Sequence, residues 1–319
     1  MIPLVLIGAR LLALALACGI NLYATIAVLG LAIRFDLVDP LPPALIGLEQ
    51  WLLIGGALAL LLVELVASAM PHADEIWEAF HSVVRPVAAI ALAFLALEAA
   101  PLPIRAAGTV VAGAAAFAAH VTKFGLRRMR PSRWSGRFVF GPLESLAAVV
   151  LAVAALVQPV AALAVVAVVA IILARLGPGP WRVAAFSTRA SLSWLRGFFG
   201  GRQWQPRTRL PASLRGLVRA AEEGLPAPRL APAALSGDVT GAYRSGWLVF
   251  DGNAAAFVYR RSFQPRRLDL TRPTDAVIRH DWLADILEVR LQDRTYTLHL
   301  LKEGPPAEIT LGALQLVVD

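Results

Sequence analysis

A stripe of ionisable side chains lies just ahead of a long apolar segment. The stretch PHADEIWEAFHSVVRP places Asp74, Glu78, His81 and Arg85 at intervals of four, three and four residues. An α-helix completes a turn in about 3.6 residues, so this spacing predicts that all four side chains lie on one helix face. They combine carboxylates, an imidazole that titrates near neutral pH and a guanidinium that binds anions. The chemistry available to such a stripe is proton transfer and anion binding.

A second stripe consists of His120, Lys123 and Arg127, which are separated by three and four residues in AAHVTKFGLRR. Charged groups at the centre of a membrane helix cost on the order of 2.5 to 3.5 kcal/mol each, so they normally face a partner or water. We therefore expect the two stripes to meet, with Glu144, around a polar cavity that opens to the cytoplasm. The alternative is that these side chains reach the membrane surface and only anchor their helices.

Two enzymatic interpretations find less support. Glu78 and His81 form a Glu-x-x-His pair of the kind found in di-iron bundles, but that site needs a second pair and no second one occurs. An activated Ser or Cys nucleophile, a phosphate-binding Gly-rich loop and a dinucleotide fingerprint are not evident. We therefore expect no catalytic residues, no metal and no cofactor. An intramembrane enzyme acting on lipid remains a third alternative.

The composition of the chain indicates where these stripes must lie. Of the 319 residues, 58% are hydrophobic and 16% are charged, which is more apolar surface than a soluble domain of this size needs to bury. Lipid must therefore be part of the solvent. The net charge of +8 does not indicate nucleic-acid binding, because the basic residues flank apolar spans instead of alternating with stacking aromatics. The single cysteine, Cys18, excludes an internal disulfide.

Five apolar stretches are long enough to cross a bilayer core, which takes roughly 20 helical residues. They cover residues 3–33, 51–70, 82–100, 106–126 and 143–176. The first is interrupted near Asn21 and the last at Gln158, so each is either one kinked helix or two helices in a hairpin. Polar groups at such breaks, here Asn21, Tyr23 and Gln158, are typical of substrate or ion sites in transporters. Glu64 lies deep in the second stretch, where bonding to a neighbouring helix is the simpler role.

Basic residues predict the orientation of the spans. Residues 123–137 contain lysine and arginine but no acid, and further arginines follow the last stretch, so both regions should face the cytoplasm. This arrangement requires a hairpin at Gln158 and gives six membrane segments. Counting back along the chain places residues 34–50 outside and both termini in the cytoplasm.

Residues 178–204 are predicted to form an amphipathic helix and linker at the inner membrane surface. Arg182, Arg189 and Arg196 recur every seven residues, among the aromatic side chains Trp181, Phe186, Trp194, Phe198 and Phe199. A helix with this pattern lies in the headgroup layer, with its arginines on anionic lipid. A solvated linker helix is the alternative.

Residues 205–319 have a different character. Short β-prone runs, from WLVF to TYTLHLL, predict a small antiparallel barrel or sandwich in the cytoplasm. The arrangement resembles a pleckstrin-homology-like or GRAM-like module, with AEITLGALQLVV as its closing element. The predicted architecture is an all-α polytopic membrane domain over residues 1–177, followed by the linker helix and a small antiparallel β domain.

Four segments carry a family resemblance: CGINLYATIAVLGLAIRF, VELVASAMPHADEIWEAFHSVVRPVAA, AAHVTKFGLRR and GPLESLAAVVLAVAAL. Over about residues 8–172 they resemble the bacterial DUF4126 family of integral membrane proteins. The matching positions are Gly19, Ile20, Asn21, Tyr23, Pro71, Asp74, Trp77, His81, Arg85, Pro86, His120, Lys123, Arg127 and Glu144. The family's Asp-Lys pair is replaced here by Ser68-Ala69. The resemblance implies a helical membrane domain but no reaction, because the function of the family is not established.

These observations favour a transporter or flippase-like permease of the bacterial cytoplasmic membrane. We expect His81 and His120 to carry protons, and Arg85 and Lys123 to hold an anion such as a lipid phosphate. The alternative is a scaffold that does not transport, whose β domain recruits a protein or a lipid headgroup. The expected partners are the lipids of the anionic inner leaflet and a second copy of the chain in a symmetric homodimer.

Overall fold

The computed structural model describes residues 4–38, 42–129, 134–176, 179–218, 227–236, 243–251, 254–261, 264–271, 273–292 and 294–315. The chain divides into two compact units, Met1–Trp181 and Arg182–Asp319. The first unit is helical, and the second contains an antiparallel sheet. The helical membrane domain and the separate β domain predicted from the sequence are therefore both present.

The helices of the first unit vary in length, and among the described residues four are long and apolar enough to span a bilayer. In chain order they are α1 (Leu4–Ile20), α2 (Leu22–Arg34), a 3-10 segment (Pro43–Glu49), α3 (Trp51–Ala69), α4 (Pro71–Ala96), α5 (Leu102–Met129), α6 (Trp134–Val157) and α7 (Pro159–Leu176). The parts long and apolar enough to cross a membrane are Trp51–Ala69, Ile76–Ala96, Leu102–Leu126 and Phe140–Val157. Shorter apolar helices in α1, α2 and α7 complete the apolar segments of the described chain.

Asn21 divides the first apolar stretch into two separate helices. Its backbone is extended, and its side-chain oxygen accepts a hydrogen bond of 3.0 Å from the Ala24 amide, which caps the start of α2. Leu14 of α1 and Leu29 of α2 lie in the same buried cluster although each is several residues from the break. The two helices therefore fold back on each other as a hairpin.

Contacts with α6 fix the direction of this hairpin. Arg10 donates a hydrogen bond of 3.1 Å to the Leu156 carbonyl, whereas Asn21 donates one of 3.0 Å to Ser145. α1 therefore runs antiparallel to α6. We call the end of the unit that contains Arg10 and Leu156 the loop end, and the end that contains residues 19–21 and Ser145 the tip end.

This direction also gives the positions of the two ends of the helical unit. The prediction that both termini are cytoplasmic counted residues 3–33 as a single crossing, and the membrane side of each terminus stays a prediction. In the hairpin, α1 begins at the loop end and α2 ends there. Arg34, the last residue of α2, lies over the Trp51 ring, with its guanidinium carbon 5.4 Å from the ring centroid. α7 runs back to the tip end, where Val169 lines a small cavity with Ile20. The start of α1 and the end of α7 are therefore at opposite ends of the unit.

Small residues bring α1, α4 and α5 close together. Their shared core contains Ala15, Cys18, Ala89, Ala93, Ala112 and Ala116. A Cβ atom at Gly19 would clash with the Ala116 carbonyl, so these backbones approach more closely than larger side chains would permit. Charged side chains between these helices are consequently held in a narrow space.

The second unit contains most of α8 (Gly179–Gly200) and a seven-stranded sheet. After a 3-10 turn (Arg207–Arg209) and α9 (Ala212–Arg215) come β1 (Arg229–Ser236), β2 (Arg244–Asp251), β3 (Ala254–Arg261), β4 (Gln264–Asp269), β5 (Asp275–Arg279), β6 (Ala284–Leu291), β7 (Arg294–Leu301) and α10 (Ala307–Gln315). The strands are antiparallel, in the order β4-β3-β2-β1-β7-β6-β5. Leu248 pairs with Phe257 and Leu287 with Leu298, and these side chains form the core together with Leu314 of α10.

α8 uses its apolar face to bind the sheet. Phe186 and Ala190 pack against Leu283 and Leu301, and Trp194 lies against the edge of this cluster. Phe186 and Trp194, predicted to lie in the headgroup layer, therefore contribute to the fold of the second unit. An amphipathic pattern has the same period whether its apolar face meets lipid or protein.

Candidate functional site

Arg85 lies inside the membrane unit and has no exposed surface. Its Nη2 donates to Glu64 Oε1 at 2.6 Å, and its Nη1 donates to Glu78 Oε2 at 3.3 Å. Nη1 also donates to Nδ1 of His120 at 2.9 Å and to the Gly19 carbonyl at 3.3 Å. One guanidinium therefore joins α1, α3, α4 and α5. We call the charged groups around it the Arg85 cluster: Glu64, Glu78, Arg85, His120, Lys123 and Glu144.

Lys123 is the second cation of the cluster. Its Nζ lies 2.8 Å from Glu78 Oε1 and 3.6 Å from Glu144 Oε2. It also donates to the Ile20 carbonyl at 3.2 Å. This carbonyl ends α1 and has no next turn of helix to bond, so Lys123 caps the broken helix.

Hydrogen-bond geometry fixes the protonation state of His120. A guanidinium only donates, so Nδ1 of His120 accepts the hydrogen bond from Arg85 and carries no proton. The imidazole is therefore neutral, and its Nδ1, 3.4 Å from Glu78, does not form an ion pair. A proton that arrived at Nδ1 would displace Arg85. The protonation of this nitrogen and its contact with Arg85 exclude each other.

His81 connects α4 to the hairpin. Its Nδ1 lies 2.7 Å from the Trp77 carbonyl, which only accepts, so this nitrogen carries a proton. Its Nε2 lies 2.8 Å from the Tyr23 hydroxyl, which donates to it when the imidazole is neutral. The Trp77 ring stacks on His81 with 4.6 Å between centroids. His81 thus fastens Tyr23 of α2 beside the Arg85 cluster.

Asn21 fastens the tip of the hairpin to α6. Its amide donates to Ser145 Oγ, which in turn donates to the Gly141 carbonyl at 2.9 Å. The Thr25 hydroxyl donates to the Asn21 carbonyl at 2.8 Å. The side chains of Asn21, Thr25 and Ser145 are all buried. The polar tip is therefore held inside the protein by α6 and by the first turn of α2 itself.

The charges at the centre of the cluster balance. Glu64 and Glu78 provide two negative charges and Arg85 and Lys123 two positive ones, and each of these side chains is exposed by 7% or less. Buried charges are tolerated when they are paired in this way. Because carboxylates already bind both cations, an anion could reach them only by displacing a glutamate.

Three buried polar atoms at this site have no hydrogen-bond partner among the described residues. They are Glu64 Oε2, Trp77 Nε1 and Arg85 Nε. Unsatisfied buried polar atoms are rare in folded proteins, and each one calls for an explanation such as backbone strain or a functional role. Within the same described part of the chain, no group of three or more His, Cys, Asp and Glu side chains is arranged to hold a metal.

The structure brings most of the predicted site residues together. Glu78, His81, Arg85, His120, Lys123 and Glu144 are adjacent, and Asn21 and Tyr23 lie at the hairpin tip. Asp74 is buried one turn before Glu78 on α4, whereas Gln158 breaks the chain between α6 and α7 at the loop end and is exposed. The Arg127 side chain lies outside the described side chains.

Glu64 is the site residue that sequence reasoning did not include in the cavity. It forms the shortest hydrogen bond to Arg85, at 2.6 Å. The available signal was a lone carboxylate in an apolar span, which by itself marks a functional candidate. The charged groups of the Arg85 cluster pack against one another, and a polar cavity open to the cytoplasm stays a prediction. A cavity of about 160 Å³ borders Lys123 and Thr122.

The three arginines predicted to contact anionic lipid lie on α8 in the second unit. Arg196 is 68% exposed and pairs with Glu303 at 3.3 Å, and Arg189 lies near the same carboxylate. Arg182 lies near Arg244 of β2. Their contact with lipid remains a prediction.

A second buried carboxylate, Asp285, occurs in the second unit. It accepts hydrogen bonds from Arg202 at 2.6 Å and Lys302 at 2.5 Å, and His280 lies 3.2 Å away. Burial favours a raised pKa for Asp285, but the hydrogen bonds from Lys302 and Arg202 outweigh it and keep the pKa below its ordinary value. Through its hydrogen bond from Arg202, Asp285 connects the segment after α8 to β6 of the sheet.

His299 of β7 is also buried, with its Nε2 2.9 Å from Ser236 Oγ. Burial lowers its pKa to about 4, because the charged imidazolium would lose its hydration. Phe186 and Tyr243 lie against its ring. His299 is therefore a neutral core residue of the second unit.

Comparison with known proteins identifies the family of the helical unit. The model for a domain of unknown function, DUF4126, matches residues 9–178, which is more than half of the chain. No curated protein and no solved structure matches. The matched segment contains the complete Arg85 cluster and the hairpin tip, and it ends before the sheet begins. The chain belongs to the DUF4126 family.

Proposed function

We propose that this protein is a proton-linked permease, with the Arg85 cluster as its coupling site. The observation that carries the proposal is a fully buried guanidinium shared by Glu64, Glu78 and His120 beside a broken helix. Buried ionisable groups in membrane bundles are typical of proton relays and ion pathways, and helix breaks are typical of transporter binding sites. Anchoring helices to one another requires only neutral hydrogen bonds.

A proton is the species that changes this arrangement most directly. If His120 takes a proton at Nδ1, Arg85 loses an acceptor and gains a like charge at close range. Arg85 then relies on Glu64 and the Gly19 carbonyl, and His120 pairs with Glu78. Because Gly19 belongs to the hairpin, proton binding is coupled to the position of the tip.

The same geometry predicts the order of proton and anion binding. Lys123 is held by Glu78 and Glu144, so it becomes available to an anion when Glu78 is protonated. A proton would therefore bind first and an anionic solute or lipid phosphate second. This order is that of a proton-coupled anion permease or a flippase-like protein.

Proton flux into liposomes tests the proposal. Vesicles of anionic phospholipid in phosphate buffer, with purified protein and an internal pH dye, are given a potassium diffusion potential, so that both a proton and an anion are available to the site. Wild-type protein should move protons faster than protein-free vesicles, and Glu78→Gln should abolish the difference. Glu308→Gln, at a carboxylate that is 65% exposed in the second unit, is the matched control and should retain the wild-type rate. Equal rates for wild type and Glu78→Gln, with both proteins folded, would contradict the proposal.

A membrane scaffold is the second candidate function. The observation that favours it is a set of exposed apolar side chains on α8. Leu192, Leu195, Phe198 and Phe199 are exposed by 49%, 44%, 73% and 82%. This apolar edge suits a helix at the membrane surface, with Arg196 near anionic headgroups. The β unit would then recruit a protein or a lipid headgroup, as its predicted pleckstrin-homology-like character suggests.

Truncation after Trp181, the boundary between the units, distinguishes the two functions. A permease should retain proton flux in the helical unit alone, since the complete Arg85 cluster lies within it. A scaffold should lose its cellular phenotype in the truncated protein while the Glu78→Gln variant keeps it. The homodimer remains a prediction, and light scattering of the purified full chain measures it.

A further inference from the structure

An apolar cavity of about 330 Å³ lies between α1, α2 and α4. Its wall runs from Arg10 and Glu98 at the loop end to Cys18 and Ala89 beside the Arg85 cluster. Arg10 and Cys18 are separated along α1 by about 12 Å, at 1.5 Å per residue. The volume lies at the lower end of the range of protein ligand sites, roughly 300 to 1,000 Å³.

The wall of this cavity is hydrocarbon except at its two ends. Leu11, Leu14, Leu29 and Leu92 form much of the surface. Arg10 at the mouth donates to the Leu156 carbonyl through Nη2, while its buried Nε has no partner among the described residues. Glu98, also at the mouth, accepts a hydrogen bond of 3.3 Å from the Ala44 amide. A polar ligand would therefore find binding groups only at the mouth.

We propose that the cavity binds one acyl chain of a phospholipid, with the lipid phosphate at Arg10. The described part of this unit includes four helices that can span a bilayer, where acyl chains are the surrounding medium. Cavities with hydrocarbon walls exclude water and accept apolar ligands. A guanidinium at the mouth complements the phosphate in charge and hydrogen-bond geometry.

The bound chain would end beside the Arg85 cluster. Cys18 directly precedes Gly19, whose carbonyl accepts from Arg85, and Ala89 is one helical turn after Arg85. The lipid would therefore pack against the contact between α1 and α4. This site does not depend on the proposed permease function, because binding is measurable without any flux.

Native mass spectrometry of the full chain in detergent tests the proposal. The probes are phosphatidylglycerol and diacylglycerol, which share acyl chains and differ in the anionic phosphoglycerol headgroup. Wild type should retain phosphatidylglycerol about tenfold more strongly than diacylglycerol, and Arg10→Gln should remove this preference. Arg34→Gln, at an exposed arginine of the same end, is the matched control and should preserve it. Equal retention of both lipids by wild type overturns the assignment of the phosphate.

A second variant tests the acyl-chain part of the site. Ala93→Leu places extra carbons inside the cavity and should reduce retention of both probes about tenfold. Ala59→Leu makes the same change on the exposed face of α3 and should have no effect. Unchanged retention in Ala93→Leu overturns the proposal.

Cys18 gives a readout that requires no substitution, because it is the only cysteine in the chain. Because Cys18 is buried in the wall, a small uncharged maleimide should label it slowly in delipidated protein at alkaline pH, and phosphatidylglycerol should slow this labelling about tenfold further by filling the cavity. Labelling at the same rate with and without the lipid contradicts the proposal even if Ala93→Leu fails to fold.

Discussion

Glu78 in the membrane unit and Asp285 in the second unit are both buried carboxylates with three basic or imidazole partners, but their surroundings differ. The partners of Asp285 keep between 16% and 61% of their side chains exposed. Those of Glu78 keep 7% or less. Side chains that reach water can be rehydrated when a carboxylate changes its charge, whereas buried ones must find a new partner. The Asp285 site therefore fastens two segments, while a proton at the Arg85 cluster forces several groups to rearrange together.

Replacing Arg85 by Met should cause the largest loss of stability in either unit. It leaves Glu64 and Glu78 without their shared cation, which costs about 3 to 5 kcal/mol for a buried group. Thermal unfolding in detergent, followed by tryptophan fluorescence, measures the effect. Arg175→Met, at an exposed position of α7, is the control and should change the unfolding free energy by about 0.5 kcal/mol or less. Equal midpoints for the two variants would show that Arg85 does not stabilise the buried glutamates.

Asp285→Asn should cause a smaller loss, about 2 kcal/mol in the unfolding free energy of the second unit. The substitution removes charge-assisted hydrogen bonds, but Arg202 and Lys302 can turn toward water. Denaturant unfolding at neutral pH measures it. A loss greater than that of Arg85→Met would overturn the comparison between the two sites.

Acidification should destabilise the second unit through His299. Its pKa is about 4 in the folded protein and near 6.5 in the unfolded chain, so the unfolded state binds more protons between these values. The contribution of His299 to the unfolding free energy is fully present above pH 6.5 and decreases as the pH falls toward 4. At pH 5 about 2 kcal/mol of it is lost. The lowered pKa of Asp285 has the same sign but acts only below its ordinary range near pH 4. Unfolding measured at pH 7 and pH 5 should show this loss in wild type, and His299→Gln should remove most of it.

The ion pair between Arg279 and Glu288 should give the smallest effect. Its side chains are 67% and 30% exposed, so solvent screens the 3.2 Å contact. Arg279→Ala should reduce the unfolding free energy by about 0.5 kcal/mol or less. Denaturant unfolding of Arg279→Ala and Asp285→Asn under the same conditions measures both losses of unfolding free energy. Similar losses in the two variants would contradict the distinction between exposed and buried ion pairs.

The meeting of the two charged stripes followed from sequence periodicity. Glu78 and Arg85 share one face of α4, and His120 and Lys123 share one face of α5, since residues three, four and seven apart lie together on a helix. The cost of charge in lipid then required these faces to turn toward each other. Glu64 is a lone charged residue on α3 and belongs to no stripe. The sequence therefore indicated that it needs a partner but not which helix provides one.

The hairpin at Asn21 could not be chosen from local sequence. A polar residue in an apolar stretch is compatible with a kinked helix and with two antiparallel helices. The long-range contacts of Arg10 with Leu156 and of Asn21 with Ser145 decide between them. For α8, similarly, the amphipathic pattern predicted a helix with an apolar face, but only the tertiary structure shows the sheet packed against Phe186.

The proposed permease function requires the Arg85 cluster to exchange a proton. His120→Gln separates this exchange from structure, because a glutamine oxygen can accept the hydrogen bond from Arg85 but cannot take up a proton near neutral pH. Proton flux and the thermal midpoint are measured on the same purified protein. The variant should unfold at a midpoint close to that of wild type, and its flux should equal that of protein-free vesicles. A folded His120→Gln protein with wild-type flux would contradict the proposed proton exchange.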